Sequence, residues 1–207
     1  MSVLVIAEHD NHEIKGATLN TVTAAVALAA GDIEVLVAGE NCQTVAEQAA
    51  AIKGISKVRM VDNSLYGNGL AEPFAALIVG LAEDYTHILL SHTTSGKNVA
   101  PRVAALLDVV QVSDIMEVQS SNTFVRPIYA GNALATVQAD DPKLVITVRS
   151  TAFEKTGLGD EKVTIETMEV GKNPEISSFV GQELTRSERP ELTSARIVVS
   201  GGRGMQS

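Results

Sequence analysis

What this sequence has little of already narrows its chemistry. Basic residues are outnumbered, 16 Lys and Arg against 25 Asp and Glu, for a net charge of −9. That balance argues against a general nucleic-acid or anionic-membrane binder, which would carry a basic face, and points to proteins or small ligands as partners. Cysteine occurs once, at Cys42, so no internal disulfide can form and no metal-ligand spacing exists; a reducing, cytoplasmic setting is expected. Cys42 itself reads as a residue at the start of a helix. No apolar run approaches the ~18 residues of a membrane span. Met1 leads almost directly into the strand-like Val3-Leu-Val-Ile6, without the charged lead and apolar core of a signal peptide, so no membrane insertion is expected.

Catalytic signatures are missing too. Thr94-Ser-Gly-Lys97 invites comparison with a Walker loop, but that motif needs glycine where Ser91 stands and Ser or Thr where Asn98 stands. No nucleophile elbow, HExxH or kinase pattern occurs, and no internal repeat or low-complexity tract is visible.

What is present is 45% hydrophobic residues in 207, enough for a folded chain with a substantial core. Up to about Leu107, short β-branched runs alternate with alanine-rich stretches, the pattern of a parallel sheet covered by helices. Strands are expected at residues 3–7, 33–37, 58–61 and 87–91, and helices at 18–30, 43–52 and 71–83. The loop Thr93-Thr-Ser-Gly-Lys-Asn98 should then feed a helix running to Leu107. The rhythm changes after Asp108. Residues 115–118, 123–128, 133–138 and 144–149 read as short strands divided by Ser120-Ser-Asn122, Gly131-Asn132 and Asp140-Asp-Pro142, all turn chemistry. These are expected to be antiparallel strands added to the parallel core, with one more strand at 163–170 and a polar connector beyond. The fold class expected is therefore α/β: a twisted parallel sheet with flanking helices, whose strand carboxyl ends form one functional edge, plus an added antiparallel region.

Several residues invite functional readings. Ser95 or Thr94 could cap the helix after residue 93 and Lys97 add charge, making an anion site there; a plain helix N-terminus is the alternative. His9-Asp-Asn-His12 follows the first strand, and His87 and His92 flank the fourth, but no second ligand cluster has zinc-like spacing, so solvated loops are the simpler reading and no metal site is expected. Glu8, Asp10 and Glu13 need a defined separation before paired-carboxylate chemistry can be argued. The strongest candidate is Ser200-Gly-Gly-Arg-Gly204, after the β-branched run Ile197-Val-Val199. Gly201, Gly202 and Gly204 give bare backbone access to an anion, Ser200 can donate a hydrogen bond, and Arg203 offers a planar fork suited to phosphate or a flavin edge. On the residues alone, a turn serving only geometry explains the glycines equally well.

Along its whole length the sequence resembles the α subunit of electron transfer flavoprotein. The matching residues are Val3-Leu-Val-Ile-Ala-Glu-His-Asp10, Thr94-Ser-Gly-Lys-Asn-Val-Ala-Pro-Arg102, Arg126-Pro-Ile-Tyr-Ala-Gly-Asn132, Thr151-Ala-Phe153, Arg189-Pro-Glu-Leu192 and Val198-Val-Ser-Gly-Gly-Arg-Gly204. The resemblance implies an α/β domain related to adenine-nucleotide-binding (α-hydrolase-like) folds over residues 1–190, serving as scaffold and subunit interface. Residues 191–207 would be the first strand and glycine loop of a following FAD-binding domain that is otherwise absent. It further implies a heterodimer with a β subunit that carries AMP. FAD would be contacted here by Arg203, with Ser200, Gly201, Gly202 and Gly204 shaping the turn. The implied role is an electron carrier without substrate turnover of its own, receiving electrons from acyl-CoA and other flavin dehydrogenases in fatty-acid β-oxidation and passing them to a membrane quinone reductase. Little FAD affinity is expected of these 207 residues alone. Two rivals remain: a stand-alone adenine-nucleotide-binding or sensor domain using the loops at residues 8–18 and 93–98, and a purely structural module that binds a partner subunit and no small ligand.

Overall fold

Along Ser2–Ile6 (β1), Val3 and Val5 face one side and Leu4 and Ile6 the other, and all four are buried. A strand covered on both faces belongs inside a parallel sheet with helices on each side. The computed structural model, which describes residues 2–183, 192, 195 and 197–205, has this architecture. After β1 come α1 (Gly16–Leu28), β2 (Asp32–Gly39), α2 (Gln43–Ala50), β3 (Lys57–Asp62), α3 (Ala71–Leu81), β4 (His87–Ser91) and α4 (Thr94–Leu107). Then follow β5 (Gln111–Ile115), β6 (Glu117–Ser120), β7 (Thr123–Ile128), β8 (Ala133–Gln138), β9 (Leu144–Val148) and β10 (Thr164–Thr167).

The main sheet has seven strands in the order β10-β3-β2-β1-β4-β9-β5, every pairing parallel. One core lies between the sheet and α1 with α2, using Val22, Leu28 and Val45 against Val3, Val35 and Leu89. The other lies beneath α3 and α4, where Leu77, Ile78 and Val103 meet Leu4, Leu36 and Ile88. The three-stranded sheet β6-β7-β8 is antiparallel and buries Phe124 in the α1-side core.

Two expectations need correcting. The segment at 144–149 is not an antiparallel addition, and that at 115–118 is one only from Glu117 onward. β9 is inserted between β4 and β5, in parallel register with Ile88 opposite Val145. Its signal was in the sequence, since Leu144-Val-Ile-Thr-Val148 is a continuous run, fully buried, as a central parallel strand must be; the turn residues at 140–142 mark a passage between sheets, not a hairpin. The strand expected at 115–118 is two strands meeting at Met116. Ile115 ends β5 in the main sheet, while Met116 N–H donates to Val125 O (2.8 Å) and the chain passes into the small sheet.

Charged residues secure the sheet's far edge. Arg59 on β3 donates to Glu34 on β2 (2.6 Å) and to Glu166 on β10 (3.0 Å), and Lys57 also reaches Glu166 (3.0 Å). Tyr85 adds its hydroxyl to Glu34 at 2.5 Å. Desolvation would raise the Glu34 carboxyl, but the bonds from Arg59 and Tyr85 outweigh it and hold the pKa below the ordinary value. Residues 197–200, where a strand was expected, form no ladder with any described residue. Ile197, Val198 and Val199 are 79%, 52% and 94% exposed, consistent with a strand sequence that has no neighbouring strand to pair with.

Candidate functional site

The chain leaves β1 towards β2 and β3 on one side, and β4 lies on the other. This reversal between β1 and β4 is a topological switch point, where open α/β sheets take ligands at their carboxyl ends. A cavity of about 420 Å³ opens there. The loop after β1 supplies Glu8, His9, Asp10 and Asn11; the start of α4 supplies Ser95 and Gly96; Gln182 closes it from the segment beyond β10. The two loops singled out for nucleotide binding therefore do converge, although α1 already begins at Gly16, which shortens the first.

Helix α4 begins one residue beyond the strand-exit segment, so residues 94–98 are helical and not loop. Its cap is Thr93, which accepts from Gly96 N–H (3.3 Å), and neither Thr94 nor Ser95 takes that role. Gly96 lies hard against the end of β4, where an added Cβ would stand 1.9 Å from Ser91 O.

Most of the acids and histidines of the cavity are already engaged. The Glu8 backbone exchanges hydrogen bonds with the Thr18 hydroxyl (2.8 and 3.1 Å), and burial pushes its carboxyl pKa up, the neighbouring Thr93 acting against it. Asp10 pairs with Lys15 and accepts the backbone N–H of His12 and of Glu13 (3.0 and 2.8 Å); these bonds outweigh desolvation and hold it well below the usual carboxylate range. Asn11 N–H donates to His9 Nδ1 (3.1 Å), leaving Nε2–H to donate to Ala38 O (3.1 Å). His9 is thus held as a neutral tautomer, and burial lowers its pKa. No Lys or Arg lines the cavity among the described residues.

The other candidates fall elsewhere. His87, 6% exposed, joins the two sheets by bonding Ser121 O at 2.7 Å. His92 bonds Thr147 Oγ1 at 2.9 Å beside Asp114. Cys42 caps the start of α2, as expected, and is fully buried; burial and Asp62 raise its thiol to about 11, leaving it unreactive. His12 and Glu13 are exposed. Among the described residues no three His, Cys, Asp or Glu side chains gather as a metal would require, and no helix is long and apolar enough to cross a membrane. Sequence reasoning gave the cap to Thr94 or Ser95 in place of Thr93, and missed Asp114 and Thr147, because the roles of those two depend on neighbours across the sheet.

Ser200, Gly201, Gly202, Arg203 and Gly204 stay together as an exposed loop, closed by a 3-10 turn over Arg203–Met205 in which Met205 N–H donates to Gly202 O (3.0 Å). The space a Cβ would take at Gly202 and Gly204 is open, while at Gly201 it meets Met205 Sδ. The loop can offer a guanidinium and bare backbone, but among the described residues no second wall stands opposite it. These residues by themselves do not enclose a flavin.

Comparison with known proteins agrees with this architecture. Residues 3–173 match the family model described as "Electron transfer flavoprotein domain". The chain is 54% identical over 207 residues to electron transfer flavoprotein subunit alpha of Pseudomonas aeruginosa, and 50% identical over 208 residues to that of Paracoccus denitrificans. In each case it covers 100% of this chain and 67% of the relative. The mitochondrial subunit of Dictyostelium discoideum is 45% identical over 219 residues, covering 99% of this chain and 62% of the relative. The chain thus spans about two thirds of the length of these relatives, and it belongs to the family of electron transfer flavoprotein α subunits.

Proposed function

We propose that residues 1–190 act as scaffold and subunit interface of a heterodimeric electron carrier, and that residues 191–207 open the domain that holds its FAD. In this reading Arg203 contacts the flavin, Gly201, Gly202 and Gly204 with Ser200 shape the turn around it, and AMP belongs to the β subunit. Electrons arrive from acyl-CoA and other flavin dehydrogenases and leave to a quinone reductase. The flavin supplies the redox chemistry when bound; this chain's part is to position.

The observation that carries the scaffold reading is the lining of the switch-point cavity. Glu8 lines the cavity together with Ser95 and Gly96 at the amino end of α4, where a nucleotide-binding sheet would place phosphate, and no Lys or Arg lines the cavity among the described residues. A carboxylate there repels the anion that the helix dipole would attract.

Titration of this chain with FAD, followed by absorbance, and with AMP, followed by calorimetry, tests the reading. Neither ligand should bind the 207 residues at stoichiometry, whereas the intact subunit co-produced with its β partner should retain FAD and lose affinity for it on Arg203→Ala. Stoichiometric FAD on this chain alone would sink the scaffold role. Saturable AMP binding would favour the nucleotide-sensor alternative.

A further inference from the structure

The cavity at the switch point has a lining that a scaffold does not need. Its volume of about 420 Å³ falls within the ~300–1,000 Å³ of sites that hold small molecules. The buried part of the lining is apolar, with Ile6 from β1, Leu90 from β4 and Val99 from α4. Tyr66 and Phe74 also line it, their rings edge to face with centroids 5.3 Å apart and planes at 81°. Tyr66 is buried and Phe74 is not, so Phe74 is the ring within a ligand's reach.

The charged part of the lining is acidic. Glu8 and Asp10 both contribute to it, and no Lys or Arg does among the described residues. Asp10 pairs with Lys15, but Glu8 makes no ion pair among the described residues. The amino end of α4, at Ser95 and Gly96, adds only about half a positive charge, and Gly96 N–H is already taken by Thr93 Oγ1. The full charge of an ionised Glu8 outweighs it, so the cavity is anionic.

Each of these features removes a class of occupant. A phosphate or carboxylate meets Glu8 with no lining cation to offset it, and a purely apolar molecule strips water from Glu8 and offers no partner in return. An alcohol or amide gives Glu8 a hydrogen bond without the opposite charge, the weaker arrangement. An ammonium or amidinium on an apolar body satisfies both parts of the lining. Its charge pairs with Glu8 where water is partly excluded and the attraction is stronger than in bulk solvent, while its body covers Ile6, Leu90 and Val99. A cation over the face of Phe74 gains further from the ring's quadrupole. Burial holds the Glu8 carboxyl above its ordinary value, and an opposite charge bound beside it acts in the other direction.

We propose that the switch-point cavity is a binding site for a small organic cation, an ammonium or amidinium carried on an apolar or aromatic body, with Glu8 as its counter-charge and Phe74 as its packing surface. The site goes beyond the scaffold role of residues 1–190 and does not depend on it. The same lining that disfavours a phosphate selects the opposite charge.

The test is titration of the isotope-labelled chain with 2-phenylethylammonium chloride, followed by the backbone amide resonances of Glu8, Gly67 and Gly96. Phenylethanol and sodium phenylacetate, similar in shape, serve as neutral and anionic counterparts at neutral pH and matched ionic strength. Saturable shifts with the ammonium are expected, at an affinity about tenfold or more above that of the alcohol, and none with phenylacetate. Glu8→Gln keeps the length of the side chain and removes its charge, so ammonium affinity should fall about tenfold while that of the alcohol stays within about twofold. Phe74→Leu should weaken both. If Phe74→Leu does not fold, Glu8→Gln carries the test, because the charge is the discriminating feature. Equal affinity for ammonium and alcohol, tighter binding of phenylacetate, no saturable shift with any probe, or ammonium affinity unchanged in Glu8→Gln would each overturn the site. Titration of the same chain with FAD reads the scaffold role separately, so one can fail without the other.

Discussion

Asp114 and Arg149 are joined by two parallel hydrogen bonds across the β5–β9 edge, at 3.0 and 2.5 Å, and the backbone of Asp114 is left-handed at φ 62°. The pair holds a conformation that aspartate tolerates and most residues do not. Asp114→Ala should lose both the pair and that tolerance, lowering stability by about 1–3 kcal/mol; the half-exposed Arg149 keeps it from costing more. Asp114→Asn, which retains the tolerance and loses the charge, should cost less. Urea unfolding midpoints of the two variants check this order, and equal midpoints would mean that the backbone contributes nothing.

Gly96 is required by the approach of α4 to the end of β4. A Cβ 1.9 Å from Ser91 O forces helix and strand apart, so Gly96→Ala should destabilise by about 3 kcal/mol or more. The cap beside it is worth less: Thr93→Ala should cost about 1 kcal/mol and Thr93→Ser nearly nothing. Denaturant unfolding of all three variants tests the ranking.

Stability should fall as the solution is acidified below neutrality. Burial lowers His9, His87 and His92 below the ordinary value of 6.5. Each then binds fewer protons folded than unfolded, so stability rises with pH. Their contribution is complete above about pH 6.5 and is lost as pH falls through that value towards the folded ones. Glu8 has the opposite sign. Burial raises it above 4.5, so its share is present at low pH and lost as pH rises through the folded value. A lower urea midpoint at about pH 5.5 than at pH 7.5, with the slope flattened by His87→Gln, is the expected result. Glu8→Gln should raise the midpoint more at pH 7.5 than at pH 4.5; a uniform change would remove Glu8 from this account.

The segment beyond β10 is tied back over α3. Tyr66 Oη accepts from Gly171 N–H at 3.0 Å, and Ser177 Oγ donates to Glu72 at 2.9 Å. Tyr66→Phe should cost roughly 0.5–1.5 kcal/mol and should raise amide exchange across residues 168–183 with little change in β1 or β4. Uniform loss of protection throughout the sheet would mean that the tie supports the whole core.

Much of the fold was legible along the chain, because the information was local. The continuous apolar run at residues 3–6, the alanine-rich stretch before Gly31 and the apolar run within His87–Ser91 are each local signals, set by near neighbours alone. Those elements appear where they were expected, with α1 displaced by two residues and closed by Ala29 in a left-handed conformation. The family, too, was readable from ordered motifs in the sequence.

Partnership across the sheet was not legible. The continuous run of β9 marks a buried strand, but nothing local says that its neighbours are β4 and β5, because that choice is made by burying both faces of Leu144–Val148 at once. The same holds for the sites. Glycines, acids and histidines could be named one by one, yet only tertiary packing brought Glu8 into one cavity with Ser95 and Gly96, and Arg149 onto Asp114. Sequence determined which segments could be strand, helix and loop; the closing of the sheet around a common core decided which distant side chains meet, because burial is satisfied by the whole molecule and not by any segment of it.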